Sequence, residues 1–224
     1  MERAKKQSKL IAVCFALFTA LLVVAGSIAV PLLCRPFYYA HISPMGLGEE
    51  VGLTREEVVQ TYNEVMDYCL GLTEEFTLTH LIWSDEGASH FADTQLLFLL
   101  DLRILLFSAA ALALLWAVCR FGGYKPYRFK GRGPAFWAAA GLGAFFAVCG
   151  VIGAVDFDFF FVLFHLVLFP GKDNWLFSYK KDPVIYLLPQ DFFMHCALLI
   201  FLLIAASCAA LLLAERKTRK HTAA

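Results

Sequence analysis

Residues Leu10–Leu33 read LIAVCFALFTALLVVAGSIAVPLL, a stretch without a single charged side chain. At about 1.5 Å of rise per residue, such a run crosses a hydrocarbon core of about 30 Å as one helix. Three more stretches of similar length follow, at Leu96–Cys119, Pro134–Val155 and Phe192–Ala214. Only the second contains charges, Asp101 and Arg103. The composition agrees: of 224 residues, 60% are hydrophobic, 22 are Phe, and only 17% are charged, too little polar surface for a soluble domain of this size. The expectation is an all-α membrane protein with four transmembrane helices, a single membrane domain over 1–224. Its spans lie near 10–33, 96–119, 134–155 and 192–214, with outer loops at 34–95 and 156–191.

Orientation follows from charge. The chain is neutral overall, yet its charges are sorted. Arg3, Lys5, Lys6 and Lys9 precede the first span. Arg120, Lys125, Arg128, Lys130 and Arg132 fill the second link without an acid, and Arg216, Lys217, Arg219 and Lys220 follow the last span. Cys34–Gln95 instead holds eleven acids against Arg35 and Arg55. Basic residues beside spans stay on the cytoplasmic side. Four alternating spans put all three basic clusters on that side, so both termini are expected to be cytoplasmic, with a helical cap outside. The first apolar run is longer than a cleavable signal core, and Leu33 stands before Cys34 where a lipobox needs a small residue, so an uncleaved span is expected. Of seven cysteines, only Cys34 and Cys69 fall outside the spans, where a disulfide is chemically open to them. No cysteine or histidine spacing reads as a metal site, and no cofactor motif is present.

In the first outer loop, Thr54-Arg55-Glu56-Glu57 matches a capping box. Val58, Val59, Tyr62, Val65, Met66, Cys69 and Leu70 then recur at helical spacing until Gly71. This predicts an amphipathic helix whose apolar face covers the membrane surface or the mouths of the spans. In the second loop, Phe159–Phe169 is apolar except for His165 and ends at Pro170-Gly171. It is too short to span, and is either the top of the third span or an interfacial or re-entrant segment. Trp175 and Tyr179 are residue types of the headgroup layer.

His41, His80, His90, His165 and His195 all map to the outer side or its boundary. His41 and His80 read as surface residues, and His195 equally as a carbonyl-bonded structural residue. His165 lies inside an aromatic run, where a polar ring needs a partner and ionisable groups are often functional. His90 precedes the second span, and if a helix begins there, Asp93 is one turn away on the same side, with Asp101 further along that face. A neighbouring acid raises histidine basicity, while a solvated helix start with acids favoured by the dipole is the plainer reading. Arg103 pairs with Asp101 or reaches outward.

Three blocks resemble the bacterial lipoprotein intramolecular transacylase family. They are Gly52-Leu53-Thr54 with Tyr62-Asn63-Glu64-Val65-Met66-Asp67-Tyr68; Ser84 with Gly87, His90-Phe91 and Asp93; and Phe164-His165-Leu166-Val167-Leu168-Phe169 with Trp175, Phe177, Asp182, Ile185, Pro189 and Phe192-Phe193. Beyond Asp93 the family shows Val then Lys, where this chain has Thr94 and Gln95.

The resemblance implies an acyltransferase of the bacterial plasma membrane working on its extracytoplasmic face without a cofactor or metal. The family moves an acyl chain from the sn-2 glyceryl ester of a diacylglyceryl lipoprotein to the amine of the same cysteine. His90 and His165 are the implied catalytic pair. His90 is favoured as base with Asp93 behind it and His165 as acid or electrophile, with the reverse left open. Ser84, Trp175 and Tyr62 are supporting residues. Trp175, Tyr62, Trp83 and Phe159–Phe161 either shape an acyl pocket or pack the core. The implied partners are the lipoprotein substrate and membrane lipid, not nucleic acid, and the oligomeric state is not readable. The competing reading is a non-catalytic membrane protein whose outer loops bind a partner or lipid. A transporter ranks lower, because the spans lack paired charges near their centres.

Overall fold

The structure, a computed structural model, describes the backbone of residues 6–223 and side chains through residue 218. Arg3 and Lys5 of the first basic cluster lie outside these residues, as do the side chains of Arg219 and Lys220 in the last. Seven α-helices are described: α1 (Lys9–Leu33), α2 (Arg35–His41), α3 (Arg55–Cys69), α4 (Asp85–Phe121), α5 (Pro134–Val155), α6 (Phe157–Leu168) and α7 (Gln190–Ala223). Two short strands, β1 (Lys6–Ser8) and β2 (Tyr124–Pro126), pair in parallel.

Four of these helices, α1, α4, α5 and α7, are long and apolar enough to cross a membrane. Hydrocarbon offers the backbone no partner, so such segments satisfy their own amides as helix. Helix and apolar stretch do not share their ends. α4 runs for 37 residues and starts at Asp85, so the polar segment before Leu96 is helical too. At the end of α5 the chain breaks at Asp156, whose extended backbone and side chain cap a separate helix by accepting from the Phe159 amide at 2.9 Å. The aromatic run is therefore its own 12-residue helix, α6, not the top of the third span. Ion pairing of Arg103 with Asp101 is not among the described salt bridges.

The described chain falls into two compact units. The first comprises residues up to Ile28, Leu102–Val151, and Ile200 onward. Its buried centre is Ala139, Ile204 and Cys208, with Val23, Leu142 and Phe146 packed around them. Small side chains at such a contact let helices approach closely, which replaces a hydrophobic drive that lipid does not supply. Its polar tie is Glu215, 6% exposed, which accepts from the Gly133 amide at 3.0 Å and pairs with Arg128. A Cβ at Gly133 would stand 2.8 Å from the Glu215 carboxylate, so glycine is needed for this approach.

The second unit comprises Ala29–Asp101 and Ile152–Leu199. Within it α3 starts with the expected capping box: Thr54 accepts from the Glu57 amide while Glu57 accepts from that of Thr54. Its apolar face, Val58, Tyr62, Val65, Met66 and Cys69, is buried against protein rather than left for lipid. Tyr38 of α2 stacks on Tyr62 with ring centres 3.6 Å apart and donates its hydroxyl to the Leu187 carbonyl at 2.8 Å. Around that stack lie Ile42, Leu47, Leu187 and Phe192. Arg35 ties α2 to α3 by donating to Asn63 and pairing with Asp67, two polar positions of the first sequence block. Cys34 and Cys69 are both free thiols. Cys69 is buried, which pushes its thiol up to about 12, whereas Cys34 is exposed.

A second polar knot joins the start of α4 to the loop before α7. Ser84 caps α4, its hydroxyl accepting from the Gly87 amide at 3.0 Å. The Ser84 amide and hydroxyl both reach the buried Asp182 carboxylate, at 2.8 and 2.9 Å. A Cβ on Gly87 would sit 2.3 Å from that carboxylate. The spacing of Ser84, Gly87 and Asp182 is thus one structural device. Gly87→Ala is expected to lower stability by about 1–3 kcal/mol through overpacking, and Asp182→Ala by a similar amount through unpaired Ser84 donors. Thermal unfolding of the detergent-solubilised protein measures both, and an unchanged midpoint for Gly87→Ala would contradict the close approach.

Candidate functional site

Two histidines far apart in sequence meet inside the second unit. The rings of His90 on α4 and His165 on α6 lie 6.0 Å apart between centres, tilted by 35°. Both side chains are largely buried, at 9% and 8% exposure. Their enclosure is aromatic. Phe169 lies 4.9 Å from His90 and 5.8 Å from His165, and Phe177 lies 5.3 Å from His90. Trp175 stacks on His165 at 4.6 Å, and Phe161 packs against it at 4.3 Å.

The local fold explains why His165 tolerates this setting. Its Nδ1 lies 2.8 Å from the Phe161 carbonyl oxygen, one turn back on α6. A carbonyl only accepts, so Nδ1 carries the proton and donates it. In the neutral ring this leaves the lone pair on Nε2. Burial lowers the pKa of His165 below its ordinary value, with the Phe161 hydrogen bond opposing, so the neutral ring is favoured near pH 7. His90 differs: its buried Nδ1 has no partner among the described residues.

Asp93 lies one turn from His90, as the helical spacing implies, but its described hydrogen bonds go elsewhere. It pairs with Lys172 and accepts from Asn174 Nδ2 at 2.9 Å. Lys172 and Asn174 sit on the loop after Pro170-Gly171, where the Lys172 carbonyl also accepts from Trp175 Nε1 at 3.1 Å. The loop thus presses Trp175 onto His165 and pins itself to α4 through Asp93. Neither Lys172 nor Asn174 was apparent from sequence. The signal was faint, a polar Lys-Asp-Asn triplet between two aromatic blocks, and nothing local says which acid it meets. Gln95, where the resemblance leads one to expect Lys, donates to the Tyr68 carbonyl at the end of α3, and the ammonium bonded to Asp93 is that of Lys172.

The other expected residues are dispersed. Tyr62 belongs to the Tyr38 stack and Ser84 to the Asp182 knot, and neither is among the groups that ring the histidines. Trp83 packs edge-on to Phe76 and is partly exposed. Of Phe159–Phe161, only Phe161 touches His165, while Phe159 is exposed. His80 bonds Gln60 at the surface. His41 is not a surface loop residue: it ends α2, bonds the Phe37 carbonyl through Nδ1 at 2.7 Å, and lies 5.0 Å from the His195 ring. The buried Nδ1 of His195 has no described partner. Among the described residues no group of three or more metal-ligating side chains converges.

The site therefore holds two imidazoles, one with a fixed tautomer, in an apolar cradle edged by a cation. Such an arrangement can move protons and bind an acyl chain, and the hydroxyl of Ser89 next to His90 accepts from Asn174 Nδ2 at 3.3 Å. The likeness to known proteins is consistent with it. The solved structure of the membrane integral lipoprotein intramolecular transacylase Lit from Bacillus cereus superposes with a TM-score of 0.83 at 22% identity, over 95% of this chain and 96% of that one. Variants of that protein with one histidine replaced by alanine or by arginine superpose at 0.76, with 22% and 21% identity. The alanine form matches over 96% of this chain and 95% of its own, and the arginine form over 96% and 94%. No curated protein matches the sequence. The family model for the lipoprotein intramolecular transacylase Lit matches residues 13–193, and the chain belongs to that family of membrane acyltransferases.

Proposed function

We propose that His165 and His90 carry out the family's acyl transfer on a diacylglyceryl lipoprotein, with His165 as the base. The observation that supports this is the His165 Nδ1–H bond to the Phe161 carbonyl, which leaves a basic Nε2 on a ring whose centre is 6.0 Å from that of a second imidazole. The reaction needs no outside acyl donor. His165 Nε2 takes a proton from the amine of the lipidated cysteine, and the amine nitrogen bonds to the sn-2 ester carbonyl carbon. The tetrahedral oxyanion then collapses, the carbon–oxygen bond breaks, and the glyceryl oxygen leaves with a proton. That proton comes back from protonated His165, and His90 is suited to polarise the ester. Its role differs from the sequence expectation because Asp93 is engaged by Lys172 and Asn174. Nucleophile and ester belong to one molecule, so holding them in reach supplies much of the acceleration. Phe169, Phe177 and Trp175 form the apolar wall for the moving chain. Lys172, half-exposed at the edge, brings positive charge to where the oxyanion develops.

The same reading places the histidines outside the cytoplasm. Lys6, Lys9 and the 120–132 link bear the basic residues that mark the inner side, and the acidic 34–95 segment is separated from each of them in sequence by one apolar span. The protein is then a multi-pass component of a bacterial plasma membrane, with lipid around it and loops 34–95 and 156–191 outside.

Three outcomes follow. Mass-spectrometric fragmentation of the lipopeptide, from a lipoprotein co-expressed in a host without its own N-acylating enzyme, should show an amide-linked chain at unchanged total mass. His165→Ala and His90→Ala should each slow the conversion by roughly 10²–10⁴-fold. Full conversion by both variants, or none by the well-expressed wild type, would favour a binding role for the outer loops. The single-turnover rate should fall in two steps as pH drops, first as the substrate amine, ordinarily about 8 in pKa, becomes ammonium, and again through a pKa below the ordinary histidine value near 6.5, because protonated His165 no longer accepts a proton. A single limb from the amine alone, with no second step below 6.5, would exclude His165 as base. Finally, a variant retaining only the exposed Cys34 should react with a membrane-impermeant maleimide in intact cells; labelling only after permeabilisation would invert the topology.

A further inference from the structure

The first unit carries an apolar groove that the transfer reaction does not use. It has a volume of about 350 Å³, with Ala12 and Ala16 of α1 on one wall and Trp137 of α5 with Phe129 on the other. Lys9 and Tyr127 stand among its lining residues. The groove is held open by structure rather than by chance contact. β1 pairs with β2, the Tyr127 amide donates to the Ser8 carbonyl at 3.0 Å, and Glu215 clamps Gly133 and Arg128. Alanines at two successive turns of α1 leave the hollow that larger side chains would fill.

Charge decides the occupant. The Lys9 ammonium lies 5.6 Å from the centre of the Tyr127 ring and that of Lys130 lies 5.8 Å from the centre of Phe129. Neither lysine has an ion pair with a described residue, and the nearby Glu215 is already committed to Arg128 and the Gly133 amide. α1 and α5 both begin here, adding the partial positive charge of two helix N-termini. An open apolar slot in a membrane protein meets lipid, and a lysine in its lining with a second over the ring of the lining residue Phe129, neither ion-paired to a described residue, selects a negative headgroup. A lysine that only sets topology needs no apolar slot beside it.

We infer that this groove binds one anionic phospholipid, an acyl chain lying between Ala12, Ala16 and Trp137 and the phosphate against Lys9 and Lys130.

The test is native mass spectrometry of the purified full-length protein given equimolar phosphatidylglycerol and phosphatidylcholine of the same chains. The wild type should retain phosphatidylglycerol in preference by on the order of tenfold. The double variant Lys9→Gln, Lys130→Gln changes only surface charge and should bring that preference close to one. Ala16→Trp, which fills the slot, should reduce retention of both lipids. Soluble glycerol phosphate should not displace the bound lipid. Equal retention of the two lipids by the wild type would overturn the inference, as would a preference that survives both variants. Displacement by glycerol phosphate at millimolar concentration would reduce the site to a phosphate contact and overturn the acyl-chain assignment.

Discussion

A group surrounded by hydrocarbon or aromatic side chains has no water to bond, and that constraint orders the rest of this chain. It forces the apolar segments into helices and makes every enclosed polar atom depend on a specific partner. Asp182 has Ser84, Glu215 has Arg128 and Gly133, and His165 has the Phe161 carbonyl. Each bond stabilises its neighbourhood and also sets an orientation. At His165 that orientation is chemical, because donation from Nδ1 decides which ring nitrogen keeps its lone pair.

The same constraint leaves some buried polar groups bonded to one another and others with an atom unbonded. Ser84 and Asp182 bond each other, and the lack of a side chain at Gly87 leaves room for the carboxylate, so these groups hold the start of α4. His90 is the opposite case, with a buried Nδ1 lacking a described partner beside a second histidine. A buried polar atom left unpaired costs stability and calls for an explanation, which the proposed role of His90 supplies. The cost is borne by packing around it: Phe169, Phe177 and Trp175 hold both rings, and the Lys172–Asp93 pair holds the loop that carries Trp175.

Family membership and local physics account for different things. The match over residues 13–193 establishes the chain as a lipoprotein intramolecular transacylase. It does not assign a role to each imidazole. Nor does it explain the Gln95 position, where the amide now secures the end of α3 while Lys172 approaches Asp93 from another loop.

Much was legible in the sequence because it depends on composition and short-range period. Uncharged runs near twenty residues mean spanning helices whatever their neighbours do. Thr54 and Glu57 specify a capping box because the hydrogen bonds close within one turn. His165 stood out because a polar ring inside an aromatic run is costly wherever the chain later folds, whereas His90 read as a solvated helix start until the resemblance paired the two. What required tertiary structure was every question of which distant group completes a bond. Tyr62 recurs at helical spacing, but only the fold stacks it on Tyr38 in a core instead of beside the histidines. Asp93 is one turn from His90 in any helix, yet Lys172, seventy-nine positions on, takes its carboxylate. Helical spacing tells which side chains share a face; it carries no information about what arrives to meet that face.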